Sequence, residues 1–310
     1  MSLSMPDLLG KGLNYALRPV VSWLYAVKRR YGIGDVFLTR HPGTANALMT
    51  LLRPFKTRSV VDVHGHQLEV DDGDYLGLTI NRVYEPEVTN FLRAFVRSGQ
   101  TAIDLGANMG YFTLLFARLV GPGGHVLAFE PDPENFELLE RNVRANRYAN
   151  VTLSQNAVSD HPGTALLYRS PVNPGDHRLV DVGNREAVEV QVITLDEALP
   201  EVHRTVHWIK MDIQGAEVAA LRGMQSIIRS AGEMSIVTEF CPRAIVDFGD
   251  DPAELVALLA EAGFHVGQLG RDGSLLDLSF ESLLRRVNVA DGTYVNLVFT
   301  RRPWLRSDDA

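Results

Sequence analysis

The pattern of apolar and polar positions changes character along the chain. Over residues 60–70 it alternates, with Val61 and Val63 on one side of His64-Gly65-His66 and Leu68 and Val70 on the other, which predicts a β-hairpin. Beyond residue 87, helix-length and strand-length apolar patterns follow one another regularly. Helices are predicted over residues 87–98, 111–120, 133–147, 216–229 and 253–262. Strands are predicted over 101–105, 126–130, 151–156, 165–168, 188–194, 206–212, 235–240, 265–268 and 294–300. Asp132 ahead of Pro133 marks one helix start, because an aspartate caps the first N–H groups and proline suits the first helical position. Strands joined through helices of 10–15 residues make parallel βαβ units with right-handed crossovers, so the expected class is α/β, a doubly wound sheet. Ligands of such sheets bind at the carboxyl ends of the strands.

The first 60 residues read differently, as short helices near 7–17, 19–31 and 44–53 separated by glycine and proline. Nine basic side chains against Asp7 and Asp35 give this segment a charge of +7 within a chain of net charge −8. We expect two parts, an N-terminal helical segment over 1–58 and an α/β domain over 59–310. The segment suits a substrate lid, an arm for a homodimer, a surface that touches acidic membranes, or a cap whose basic face is simply solvated.

Composition narrows the class. With 45% hydrophobic and 22% charged residues, the 310-residue chain is that of a folded globular protein. The acidic balance disfavours nucleic acid as a partner. Cys241 is the single cysteine, which excludes an internal disulfide and makes the cytoplasm the expected location. Arg18 and Pro19 interrupt the first apolar stretch, so neither a secretory signal nor a membrane span is expected there. His64 and His66 flank a turn glycine and read as solvent-exposed turn residues, so no metal is expected at them.

The strand over 101–105 runs into DLGANMGY at residues 104–111, a glycine-bearing turn directly before a helix. Such a turn lets the backbone approach a ligand, and the helix start behind it offers free N–H groups. Twenty residues after Gly110 the next strand ends in Glu130-Pro131, placing a carboxylate to accept hydrogen bonds from a ribose diol. A dinucleotide fingerprint requires glycine at the first, third and sixth positions, whereas here these are Gly106, Asn108 and Tyr111. The form is instead D-x-G-x-x-x-G, which resembles the first motif of class I methyltransferases that use S-adenosyl-L-methionine (SAM). Asp104 suits the cationic end of that cofactor; a turn-capping aspartate is the structural alternative.

Four motifs in order narrow the resemblance: DLGANMGY at 104–111, FEP at 129–131, NAVSD at 156–160 and KMDIQGAE at 210–217. Together they resemble the FkbM family of SAM-dependent methyltransferases, many of which methylate hydroxyls of natural products or sugars. The resemblance spans roughly residues 84–300 and departs from the family at Gln214, where an acid is usual. It implies a Rossmann-like, mostly parallel sheet of seven strands. It also implies that Gly106, Asn108 and Gly110 shape the turn around the methionine end, that Glu130 holds the ribose, and that Asn156 with Ala157 lies along the adenine. Asn156 is equally suited to capping its own loop. Tyr111 and Phe129 are placed to touch the cofactor or to pack, and Tyr84-Glu85 resembles a family feature covering the methionine end, with a helix start at Pro86 as the alternative.

Asp212 and Glu239 stand at the carboxyl ends of two consecutive strands, where a substrate would meet the methyl group. Paired carboxylates there can grip a hydroxyl, accept its proton or hold a cation. Lys210 lies on the same side of its strand as Asp212, so an internal ion pair is the alternative. An aliphatic hydroxyl needs a base, and His177, in the loop over 173–178, is the expected one, a solvated loop histidine being the competing assignment. The predicted function is O-methylation of a small hydroxylated molecule. The competitors are a methyltransferase of RNA or protein and a non-catalytic protein that keeps the fold.

Overall fold

The structure is a computed structural model that describes residues 60–301 apart from 72–73, 75, 171–172, 184, 200–204, 271–272 and 287–292. The predicted N-terminal helices lie outside the described residues. The predicted hairpin forms from β1 (Val60–Val63) and β2 (His66–Glu69), with His64 and Gly65 both at positive φ in the turn. Its histidines are not the solvated pair expected. His66 is buried, its Nε2 lies 2.6 Å from the Tyr148 hydroxyl, and burial followed by the Arg118 charge lowers its pKa to about 4.

After α1 (Leu78–Asn81) and α2 (Pro86–Phe95), strands and helices alternate. They are β3 (Thr101–Leu105), α3 (Tyr111–Val120), β4 (His125–Phe129), α4 (Pro133–Ala145) and β5 (Val151–Ser154). Beyond these come β6 (Ala157–Val158), β7 (Gly163–Arg169), β8 (Glu186–Ile193), α5 (Leu195–Ala198) and β9 (Trp208–Met211). The chain continues through α6 (Glu217–Arg222), α7 (Gln225–Ser230), β10 (Ser235–Phe240), α8 (Pro242–Phe248) and α9 (Pro252–Glu261). The last described elements are β11 (His265–Leu269), β12 (Leu275–Leu278), α10 (Phe280–Arg286) and β13 (Val295–Thr300).

The main sheet has the order β12-β11-β13-β10-β9-β3-β4-β5. Strands β3, β4, β5, β9 and β10 pair in parallel, and β13 runs antiparallel between β10 and β11. The expected mostly parallel α/β sheet is present, with eight strands in place of seven. The addition is β12, whose Leu-Leu-Asp-Leu stretch has no alternation to betray it and which folds back on β11 through the turn at Gly270 and Gly273. The predicted strands at 165–168 and 188–194 do form, but they leave the main sheet: β7 and β8 pair with β6 as a separate three-stranded sheet over a small core of Ala157, Leu167, Val190 and Val192.

Each face of the main sheet is covered, which is why its strands are apolar on both sides. The hairpin, α2, α3 and α4 bury Val88, Leu114, Phe116 and Leu139 on one face, and α6, α7 and α9 bury Leu221, Ile228 and Leu259 on the other. The single helix predicted over 216–229 is two, broken at Gly223, where an added Cβ would sit 1.9 Å from the Ser159 carbonyl oxygen. No helix among the described residues is long and apolar enough to cross a membrane.

Candidate active site

The loop leaving β3 is shaped by backbone signs that few residues accept. Gly106, Asn108 and Gly110 all have positive φ (77°, 50° and 95°). At Gly106 an added Cβ would lie 2.0 Å from the Asp212 carbonyl oxygen, so this glycine lets the loops after β3 and β9 touch. At Gly110 the same atom would meet Leu139 Cδ1 at 2.7 Å. Gly110 then caps α3 and delivers Tyr111 to its first position.

Glu130 follows β4 and is 5% exposed, yet it is supplied with donors: the Asn108 N–H reaches its Oε2 at 2.7 Å and the Asp132 N–H its Oε1 at 3.0 Å. Burial still pushes its carboxyl up to about 7. Each oxygen keeps a lone pair, and this geometry suits a diol. Pro131 separates Glu130 from Asp132, whose side chain caps α4 by accepting from Glu134 and Asn135. Asp104 is buried, with one oxygen accepting from Thr113 Oγ1 at 2.6 Å and Oδ1 left without a hydrogen-bond partner. Asn156 donates to Ser154 Oγ at 2.8 Å, the loop-capping alternative, and Ala157 is buried in β6.

Register places Asp104 beside Lys210, and Lys210 beside Val237, on neighbouring strands. Lys210 Nζ lies 3.1 Å from Asp212 Oδ2 and 4.8 Å above the Phe112 ring. Burial opposes its charge, but Asp212, Glu85 and Asp104 together hold the ammonium above its ordinary range. Gln214, in a left-handed conformation (φ 53°), donates its amide to Asp212 Oδ1 at 2.6 Å. Glu85, also left-handed (φ 39°), precedes Pro86 at the start of α2, so the helix-start reading of this pair holds while its carboxylate joins the site. Carboxylate oxygens of Glu85, Asp212 and Glu239 all lie within 4.8 Å of one another. Burial, with Asp212 and Glu87, pushes Glu85 up to about 7, and burial, with Asp212 and Glu85, pushes Glu239 well above the carboxylate range. Three carboxylates sharing one ammonium form a cradle for a positive charge. Tyr84, Tyr111 and Phe112 wall it, with ring centroids 5.0–6.0 Å apart.

His177 is placed elsewhere. Its Nδ1 accepts from the Ser170 N–H at 3.1 Å and its Nε2 lies 3.9 Å from Asp132 Oδ2, on the Glu130 side of the site. Burial lowers its pKa, with the Asp132 charge opposing. The loop carrying it is held down, since the Pro174 carbonyl accepts from Asn108 Nδ2 at 3.1 Å and from Asn135 Nδ2 at 3.0 Å. Sequence reasoning missed Glu217, 3% exposed and pushed up to about 7 by burial, whose carboxylate accepts from the Ile213 and Gly215 N–H groups and so sets the loop after β9. A glutamate two residues after the loop glycine was the available signal.

The methionine end of SAM carries an ammonium and a sulfonium, and the ribose a diol. The carboxylate cradle, the Glu130 pocket and the glycine turn fit those groups in kind, and Asp104 Oδ1, buried and unpaired, adds negative charge behind Lys210. Comparison with known proteins agrees. The methyltransferase FkbM domain matches residues 104–266, just over half of the chain. "Methyltransferase 1" of Beauveria bassiana is 29% identical over 207 residues, covering 60% of this chain and 80% of its own. The 31-O-demethyl-FK506 methyltransferase FkbM of Streptomyces tacrolimicus is 30% identical over 208 residues (55% and 75%), and the hexuronic acid methyltransferase AglP of Haloferax volcanii 25% over 193 (61% and 74%). The four ordered motifs, the sheet and the domain match have one explanation: this chain is a SAM-dependent methyltransferase of the FkbM family.

Proposed function

We propose that the enzyme transfers methyl to a hydroxyl of a small natural product or sugar at the carboxyl ends of β9 and β10. The observation that carries this reading is the convergence of Glu85, Asp212 and Glu239 beside Lys210. When bound, SAM supplies an already activated methyl group, which leaves the protein alignment, exclusion of water and removal of the hydroxyl proton. Glu130 holds the ribose hydroxyls, the turn from Gly106 to Gly110 lies against the methionine end, and Tyr84, Tyr111 and Phe112 keep water away. Asp212, with Lys210 and Gln214 donating to it, orients the acceptor hydroxyl, and Glu239 takes its proton. His177 serves as a prop of the 170–178 loop rather than as the base, because its ring nitrogens face Ser170 and Asp132.

The relatives named for 31-O-demethyl-FK506 and for hexuronic acid support a small-molecule acceptor. A cytoplasmic location suits a chain whose one cysteine is Cys241. We assign residues 59–310 to catalysis and leave 1–58 as lid or dimer arm. Removing residues 1–55 and measuring mass in solution separates the two, since loss of a lid leaves the oligomer unchanged. The test of the main reading is calorimetric titration with S-adenosylhomocysteine, with NAD in parallel and Glu130→Ala as control. Binding of S-adenosylhomocysteine that is lost in the variant, followed by transfer from labelled SAM to hydroxylated acceptors, is the expected result. A folded protein that binds neither ligand overturns it. Steeply salt-dependent RNA binding would move the acceptor to nucleic acid.

A further inference from the structure

The carboxylate cradle is unevenly supplied with donors. Asp212 receives Lys210 on Oδ2 at 3.1 Å and Gln214 on Oδ1 at 2.6 Å. Among the described residues the Glu239 carboxylate accepts no hydrogen bond, although it stands at the end of the neighbouring strand and its oxygens lie within 4.8 Å of those of Asp212 and Glu85. The groups that face it are Asp212 and Lys210 from β9, Glu85 and Tyr84 from the segment before α2, Glu217 from α6 and Cys241 beside it. Of these, only Lys210 carries positive charge, and that charge is already engaged by Asp212.

We propose that Glu239 carries a proton until the sulfonium of SAM adds a net positive charge to the cradle, and then surrenders it to solvent, which lets the protein distinguish SAM from its demethylated product by charge. The inference rests on the reading above, that the methionine end of SAM lies here. Carboxylates this close cannot all ionise against one ammonium, and the one that stays neutral is a member without donors, Glu239 or Glu85, since only Asp212 receives hydrogen bonds from the described residues. Glu85 is the rival. After burial its main influence is the attraction of Lys210, which favours its charged form, whereas for Glu239 the main influences after burial are the like charges of Asp212 and Glu85. A permanent positive charge at sulfur reverses that balance. SAM and S-adenosylhomocysteine share their adenosine and an ammonium balanced by their own carboxylate, and differ in the transferable methyl and the net charge it gives the sulfur, so Glu239 is ionised in the complex that has a methyl to give and neutral in the complex that does not. An ionised Glu239 is then ready to receive a proton from the acceptor hydroxyl.

The consequence is measurable without an acceptor. Calorimetry of the full chain near pH 7 in two buffers of different ionisation enthalpy counts the protons released by each ligand. SAM should release up to about one proton more than S-adenosylhomocysteine, and the ratio of their affinities should rise with pH by up to about tenfold per unit while Glu239 titrates. In Glu239→Gln the excess and the pH dependence should vanish while S-adenosylhomocysteine still binds; in Glu85→Gln the excess should persist. Equal release by both ligands, an excess that survives Glu239→Gln, or saturable release caused by Mg2+ alone would each overturn the proposal. If the Glu239 variant does not fold, equal release by the unaltered protein still overturns the proposal, and loss of the excess in Glu85→Gln overturns it in favour of Glu85. Failure of both ligands to bind would instead remove the cofactor reading on which the inference stands.

Discussion

Glu130 and Glu239 occupy equivalent places, each a glutamate at the carboxyl end of a strand in the same sheet, and the fold treats them in opposite ways. Around Glu130 the backbone is arranged to donate, with the Asn108 and Asp132 N–H groups pointing at its two oxygens before any ligand arrives. Around Glu239 there are mainly other carboxylates. The first arrangement is preorganised for a neutral diol. The second is left unbalanced, and a cation restores it. One side of the site spends no charge on its ligand, while the other stores charge of one sign and is completed by the ligand.

Removing the one ammonium sharpens this contrast most. Lys210→Met should destabilise the protein by about 3–5 kcal/mol, because it leaves buried carboxylates uncompensated. Asp212→Asn in the same background should recover part of the loss, and denaturant unfolding of the single and double variants measures both. On the donor-rich side, Glu130→Ala should weaken S-adenosylhomocysteine binding by about 2–3 kcal/mol in calorimetry, since it removes charged acceptors and strands two buried N–H groups; unchanged affinity would break the comparison.

Acid–base titration gives a smaller effect with a definite sign. Glu130 and Glu217 are raised from 4.5 to about 7 in the folded protein. A raised carboxyl binds its proton more tightly folded than unfolded, so its contribution is fully present below the unfolded value and is lost as pH rises through about 7. Without ligand, the melting temperature should therefore fall between pH 5 and 8, by the equivalent of about 1–3 kcal/mol per group. A rising melting temperature over that window would show that both are already ionised. The smallest effect belongs to His177→Ala, expected to cost about 1 kcal/mol through the lost Ser170 hydrogen bond and to spare S-adenosylhomocysteine binding. A collapse of turnover at unchanged affinity would restore His177 as the base.

Legibility in the sequence followed the range of the interactions. The strands β3 and β10 could be bounded from their apolar runs, because burial on both faces leaves few polar positions inside them, Asp104 in β3 and Thr238 and Glu239 in β10. So could the end of β9, where Asp212 closes the run. β12 and β6 could not, being held by pairing rather than by pattern, and the division of α6 from α7 depends on the Ser159 carbonyl 64 residues before Gly223. Within the site, strand order was enough to expect Asp212 and Glu239 together. The placing of His177 was not readable, because the Asn108 and Asn135 amides that clamp the Pro174 carbonyl come from other parts of the chain. Nor was the pairing of Gln214 with Asp212, which depends on a left-handed residue that is not glycine.

The antiparallel strand β13 has a consequence for how the protein is made. It forms the seam between β10 and β11 but is synthesised after both, some 55 residues beyond the end of β10. A ribosome adding about 5–20 residues per second needs on the order of several seconds to cover that distance. Throughout that interval the β10 edge has no partner, and once β11 is complete at Leu269 its edge has none either, the kind of surface on which chains stick to one another. Translation speed between β10 and β13, and chaperone occupancy while that stretch is read, should therefore affect the yield of this enzyme.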